Sequence, residues 1–178
     1  MGKMIFITGG ARSGKSTYAV SLAKKHKKVA FIATCQALDK EMDKRIKLHQ
    51  QDRPKNWKTF EEPQDVALLI NGLDNRFDCI LIDCLTLLVS NLLMAKRKEE
   101  QILEEIRNML KNLKKKKAQT IIVANEVGLG LVPANKLGRD FRDIAGKVNQ
   151  LAAKQADEVF FTVSGIPWNI KPGASKLF

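Results

Sequence analysis

The sequence predicts an α/β fold in a single domain, built on a doubly wound, mostly parallel sheet with helices on both faces. Three observations carry this. Short apolar runs recur at residues 4–8, 29–33, 79–83, 120–124 and 158–163. Segments of helical period separate them, the alternation that builds parallel α/β sheets. Most of these runs are apolar throughout rather than alternating, as strands covered on both faces must be. The 178 residues suit one domain, assigned here to residues 1–171, with 172–178 read as a loose C-terminal tail.

Taken in order, the run Met4-Ile5-Phe6-Ile7-Thr8 is the first strand. Thr17 to Lys25 is a helix with Ala19, Leu22 and Ala23 on one face. Val29 to Ala33 is a buried strand, and Thr34 to Leu38 a loop at its carboxyl end. Asp39 can cap a helix through Met42, Arg45, Ile46 and His49, ended by Asp52-Arg53-Pro54. Trp57 to Phe60 is a weak strand. Pro63 is expected to open a short helix carrying Val66, Ala67, Leu69 and Ile70, closed by Asn71-Gly72. Cys79 to Asp83 is the next strand, and Leu85 to Leu93 an apolar helix. A long amphipathic helix follows with the stripe Ile102, Ile106, Met109 or Leu110, and Leu113. Thr120 to Ala124 is a strand that delivers Asn125-Glu126 and a glycine-bearing loop. Asn135 to Gln155 is mostly helix, with Phe141, Ile144, Val148 and Leu151 inward. Glu158 to Val163 is read as the last strand, after which Ser164 to Trp168 leaves the sheet.

Composition narrows the function. The chain is 44% hydrophobic, enough for a sizeable core, yet no apolar run approaches the ~20 residues of a membrane span. It runs from its start straight into a strand, which leaves no room for a signal peptide. Three cysteines, Cys35, Cys79 and Cys84, without a C-x-x-C spacing, fit reduced thiols in the cytoplasm and argue against zinc. A net charge of +12 raises the question of nucleic acid. However, the densest basic runs, 24–28 and 114–117, fall at ends of predicted helices, where cations suit the dipole. Aromatic residues make up only 6% and are not interleaved with basic ones for base stacking. Neither a nucleic-acid partner nor stable membrane insertion is expected.

The chemistry starts at the first strand. Gly9, Gly10, Ala11, Arg12, Ser13, Gly14, Lys15 and Ser16 spell G-x-x-x-x-G-K-S, followed by Thr17. With a strand before it and a helix after it, this is the phosphate-binding P-loop. It makes the expected fold a P-loop NTPase of the RecA-like type. Glycines let the backbone turn its N–H groups inward, and the following helix adds its N-terminal dipole. Lys15 reaches the β- and γ-phosphates, and Ser16 can hold Mg²⁺. The expected cofactor is therefore Mg²⁺, carried in with a nucleoside triphosphate as substrate.

In a parallel sheet ligands bind at the carboxyl ends of strands. That rule picks out Thr34, Asp83 and Glu126 beside the loop. Asp83, ending an apolar strand, stands where such proteins keep a metal-organising acid. Glu126 can position a nucleophile, accept a proton or touch metal, or can be a surface acid paired with a lysine. His49 shares a helix face with Met42 and Ile46, so it is either a packed histidine or a nucleophile able to form a phosphoramidate. Arg45, one turn earlier, can stabilise phosphate charge. Arg139, Arg142 and Lys147 form a weaker basic row.

Several stretches together resemble one family. They are the loop segment TGGARSGKST, FIATCQALDKEMDKRIKLHQQDRPKNW from Phe31 to Trp57, LIDCLTLLVSN from Leu81 to Asn91, NEVGLGLVP from Asn125 to Pro133, and FRDIAGKVNQLAAKQADEVFFTVSGIP from Phe141 to Pro167. The chain resembles the bifunctional adenosylcobinamide kinases / adenosylcobinamide-phosphate guanylyltransferases of cobalamin biosynthesis over nearly its whole length. The resemblance implies two reactions. ATP or GTP phosphorylates adenosylcobinamide, and GMP from GTP is then transferred to that phosphate, giving adenosylcobinamide-GDP and pyrophosphate. It also implies a guanylylated histidine at the end of R-I-x-x-H, here His49, and a homo-oligomer, a trimer in the family's best-known form. The rival expectations are a P-loop small-molecule kinase without guanylyl transfer and a RecA-like ATPase stimulated by nucleic acid.

Overall fold

A computed structural model describes residues 2–36, 54 and 56–172. Among the described residues there are seven strands and five helices. The strands are β1 (Met4–Gly9), β2 (Val29–Ala33), β3 (Lys58–Glu61), β4 (Cys79–Asp83), β5 (Gln119–Val123), β6 (Glu158–Val163) and β7 (Ile166–Lys171). The helices are α1 (Lys15–Ala23), α2 (Val66–Gly72), α3 (Leu85–Met94), α4 (Glu99–Lys115) and α5 (Lys136–Gln155). The expected helix from Asp39 to His49, including Arg45, and the residues of the C-terminal tail beyond Pro172 lie outside the described residues.

One sheet runs through the molecule in the order β3-β2-β4-β5-β1-β6-β7. Every neighbouring pair is parallel except β6 and β7. Side chains alternate across it, and the central strands β1, β2, β4 and β5 feed two cores. Met4, Phe6, Ala30, Ile32, Ile80, Ile82 and Ile122 face α2, α3, α4 and α5. Ile5, Ile7, Val29, Phe31, Cys79, Leu81, Ile121 and Val123 face the opposite side, where α1 lays down Ala19 and Ala23. This double burial explains the continuous apolar runs. Along α4, Ile102, Ile106, Met109, Leu110 and Leu113 are all buried, while Glu99 and Glu100 stand in its first turn and Lys114 and Lys115 in its last. That charge order complements the helix dipole.

Three local expectations change. Trp57 is not part of a strand: it lies buried against Phe31, ring centroids 6.3 Å apart, and β3 starts one residue later. Pro63 does not open α2. The Glu62 carboxylate accepts from the N–H groups of Gln64 and Asp65, at 3.0 and 2.8 Å, and this turn delays the helix to Val66. The chain also does not leave the sheet after β6. It turns at Ser164-Gly165 and returns antiparallel as β7, with Val163 opposite Ile166. The last strand of the sheet is thus β7.

The connections set the site. From β1 the chain crosses through α1 toward β2, and from β5 it crosses through α5 toward β6 on the other side. The strand order therefore switches between β1 and β5, and the carboxyl ends of these strands frame the crevice in which such sheets bind ligands.

Candidate nucleotide site

The loop at the end of β1 has the shape its glycines predict. Gly9 and Gly14 adopt φ of 152° and 94°. A Cβ on Gly9 would stand 2.3 Å from the Thr162 carbonyl oxygen, so no side chain fits there. Gly14 is the N-cap of α1 and Lys15 its first residue. The first-turn N–H groups of such a helix have no acceptors within it and are open to an anion. Ala11, Arg12 and Thr17 are exposed, Gly10 and Ser16 half-buried, and Ser13 buried. Arg12 has φ 55°, a left-handed conformation that helps fold the loop.

Lys15 is buried, only 6% exposed. Its ammonium donates to the Gly10 carbonyl and, at 3.4 Å, to the Ser13 hydroxyl. Burial lowers its pKa, an effect opposed by its electrostatic interactions with Cys84 and Asp83. The loop thus encloses a cation poorly solvated by water, which a phosphate would complement. Cys84 itself is buried and its thiol is pushed up to about 12 by desolvation, with Asp83 adding to the shift. It is no nucleophile at neutral pH.

Asp83 ends β4 in the series Cys79, Leu81, Asp83, which places it on the α1 face of the sheet together with the loop. Ser16 and Asp83 bring oxygen donors to this side, the donor chemistry that suits Mg²⁺. Thr34 has a different place from the one expected. It is 0% exposed, and its hydroxyl donates to the Cys84 carbonyl at 2.7 Å while accepting from the Cys84 N–H at 2.9 Å. Both bonds go to the backbone of Cys84, the residue after Asp83, so this buried hydroxyl fastens the end of β2 to the end of β4.

Glu126 stands on the other side of the loop. Its N–H donates to the Gly9 carbonyl at 2.8 Å, which ties the end of β5 directly to the P-loop. Its half-buried carboxylate accepts from the Asn149 amide at 3.3 Å, and the same amide donates to the Asn125 carbonyl at 3.1 Å. Lys15, Ser16, Asp83 and Glu126 are thus gathered at one edge of the sheet. His49 and Arg45 lie outside the described residues. Arg139, Arg142 and Lys147 have structural jobs: Arg139 donates to the carbonyls of Pro133 and Ala134, and Arg142 and Lys147 pair with Asp143 and Glu99.

A polar layer beneath the site escaped the sequence reading. Asn91 donates to the carbonyls of Thr34 and Pro63, at 2.7 and 3.0 Å, and Thr86 accepts from the Asn125 N–H at 2.6 Å. With Asn149, these side chains fasten the ends of β2, β3 and β5 to α3 and α5. The signal available was a polar residue interrupting an apolar helix face, as Thr86 and Asn91 do in LTLLVSNLLM.

A family model described as cobinamide kinase / cobinamide phosphate guanyltransferase matches residues 5–170. The bifunctional adenosylcobalamin biosynthesis protein CobU of Escherichia coli is 42% identical over 180 residues, covering 94% of this chain and 99% of that one. CobU of Salmonella typhimurium is 43% identical with the same coverage. The bifunctional adenosylcobalamin biosynthesis protein CobP of Pseudomonas aeruginosa is 42% identical over 93% of this chain and 95% of its own. Among solved structures, a KaiC-like protein from Pyrococcus horikoshii superposes with a TM-score of 0.53 at 12% identity, over 89% of this chain and 70% of that one. The RadB recombinase gives 0.51 at 13% identity, over 89% and 73%. These last two likenesses concern fold alone, the RecA-like arrangement of a P-loop sheet.

Proposed function

The chain belongs to the cobinamide kinase / cobinamide phosphate guanyltransferase family, and from that membership we propose how its residues divide the work of the two reactions. In the first, ATP or GTP phosphorylates the aminopropanol hydroxyl of adenosylcobinamide. In the second, GMP passes from GTP to that phosphate, and adenosylcobinamide-GDP and pyrophosphate are the products. The observation that supports this reading is the gathering of a buried Lys15, Ser16, Asp83 and Glu126 around one loop at the switch point of the sheet.

The roles follow from position. The backbone N–H groups of Gly9 to Thr17 take the phosphates, and Lys15 transfers its bonds from Gly10 and Ser13 to the β- and γ-oxygens. Arg12 approaches the phosphates from the exposed side of the loop. Ser16 and Asp83 would hold Mg²⁺, which supplies charge neutralisation along the triphosphate when it is bound. Glu126 accepts the proton of the attacking hydroxyl in the kinase step.

For guanylyl transfer, a ring nitrogen of His49 forms a bond to the α-phosphorus as the bond to pyrophosphate breaks. An oxygen of the cobinamide phosphate then attacks the same phosphorus. The P–N bond breaks, and His49 is regenerated. Arg45 offsets charge on the phosphate in transit. The enzyme is proposed to work in the cytoplasm as a homo-oligomer, with the trimer that the family resemblance implies, and to need no nucleic acid.

Incubating the protein with GTP, Mg²⁺ and adenosylcobinamide tests this reading. Mass spectrometry should find adenosylcobinamide-GDP with wild type, and neither phosphorylated nor guanylylated product with Lys15→Ala. Phosphorylated product alone from wild type would leave a kinase without guanylyl transfer.

A further inference from the structure

The turn between β6 and β7 rests on the phosphate-binding loop. The Gly165 N–H donates to the Ser13 carbonyl at 2.9 Å. A Cβ on Gly14 would come within 3.0 Å of the Gly165 Cα, and the Thr162 carbonyl already closes the space above Gly9. Both signature glycines of the loop are therefore in contact with this hairpin. Its turn has φ 50° at Ser164 and 84° at Gly165, two successive left-handed residues of the kind that joins strands tightly. Its far end is anchored as well: the Lys171 ammonium donates to the carbonyls of Ala153 and Ala156, at 3.0 and 2.6 Å, where α5 ends. The hairpin is an arm rooted on α5 with its tip on the P-loop.

We propose that this hairpin is a positioning element for nucleotide binding, with Gly165 holding the Ser13 peptide so that the loop stays shaped for phosphate. The inference rests on the reading of that loop as the nucleotide site. The physical reason is preorganisation. Donors already fixed in the binding geometry spare the ordering cost that a slack loop would meet when the triphosphate arrives. The Ser13 carbonyl is the natural handle, because it lies between the glycines that set the loop's curvature. In the chain, Gly165 stands 152 residues beyond Ser13, and the parallel pairing of β6 with β1, with Thr162 opposite Gly9, brings the two together.

The test is nucleotide affinity, measured with a non-hydrolysable GTP analogue on three variants. Gly165→Ala places a side chain in free space but at a strained φ, and so moves the turn. Gly165→Asn tolerates a left-handed φ and keeps the N–H donor. Leu113→Ala creates a cavity in the core beneath α4, away from the loop, and serves as the control for lost stability. The expected result is a Kd raised about tenfold by Gly165→Ala, within about twofold of wild type for Gly165→Asn, and unmoved by Leu113→Ala at temperatures where it is folded. Equal affinity in Gly165→Ala, or equal loss in Gly165→Asn, would overturn the proposal.

Should Gly165→Ala not fold, hydrogen exchange on wild type decides. Saturating analogue should slow exchange of the Gly165 amide about tenfold or more, since what tightens the loop must by linkage tighten its tether. No change there overturns the proposal. If wild type itself binds neither GTP nor ATP, the nucleotide reading has failed, a result distinct from both.

Discussion

The side-chain amide of Asn149 bridges two consecutive residues at the end of β5, donating to the Asn125 carbonyl at 3.1 Å and to the Glu126 carboxylate at 3.3 Å. Because the Glu126 N–H is bound to Gly9, this one amide from α5 orients an acid that is already tied to the P-loop. Asn149→Ala should lower turnover in the kinase step about 10–100-fold, the scale of effect that misplacing a reacting group produces. The KM for nucleotide should stay within about twofold, because the loop itself is untouched. Steady-state kinetics with the two constants separated checks this. A raised nucleotide KM at unchanged turnover would assign Asn149 to the loop instead of to Glu126.

Lys15 gives a pH dependence with a definite sign. Burial lowers its pKa from 10.5, opposed by Cys84 and Asp83. Bound phosphate, being anionic, must raise it again. Nucleotide binding in the alkaline range is therefore accompanied by proton uptake. Affinity is full while Lys15 is protonated in the free protein and weakens as pH climbs through its lowered value. Titration calorimetry in buffers of different ionisation enthalpy, stepped upward through the alkaline range below 10.5, should show protons taken up by wild type. Lys15→Met, if it retains measurable affinity, should lose that uptake.

Glu105 on α4 accepts from the Ala67 N–H at 2.8 Å and so supplies an acceptor to the first turn of α2. Burial raises its pKa above 4.5. The Ala67 bond opposes the shift, the neighbouring acids Asp65 and Glu62 reinforce it, and Arg97 opposes it. The folded protein thus holds this proton more tightly than the unfolded chain. Between 4.5 and the raised value, stability falls as pH rises. Glu105→Gln keeps an acceptor for Ala67 and removes the ionisation. Its stability should be at least that of wild type at pH 7, and the decline on leaving the acid side should flatten. Thermal melts at pH 4.5, 5.5 and 7 check both points.

What was legible in the sequence had a local cause. The P-loop is a contiguous motif, and the buried strands are continuous apolar runs because each is covered on both faces; β2, β4 and β6 begin and end where the runs do. Asp83 and Glu126 could be named because they end such runs. β7 was missed for the opposite reason. Ile166, Trp168 and Ile170 alternate with Pro167, Asn169 and Lys171 on an edge strand with an exposed face, and a proline in a short alternating run argues against a strand unless it lies at an edge. The Ser164-Gly165 pair was the available clue. Thr34 is picked out by its place at the end of a strand, whereas the partner of its hydroxyl, Cys84, stands 50 residues away. The tie from Asn91 to Thr34 spans 57 residues. Such partners are set by sheet order, which local pattern does not encode. For His49, in the stretch D-x-E-M-x-x-R-I-x-x-H, the nucleophilic role is implied by the family resemblance, and the stretch lies outside the described residues.

The measurement that bears most directly on the proposed chemistry is the intact mass of the protein after incubation with GTP and Mg²⁺, without any corrinoid, for wild type and His49→Ala. The account predicts an adduct of one GMP on wild type, lost in acid and stable in base as a phosphoramidate should be, and none on His49→Ala that still binds GTP. An unmodified wild type that binds GTP, or an adduct that persists in His49→Ala, would contradict it.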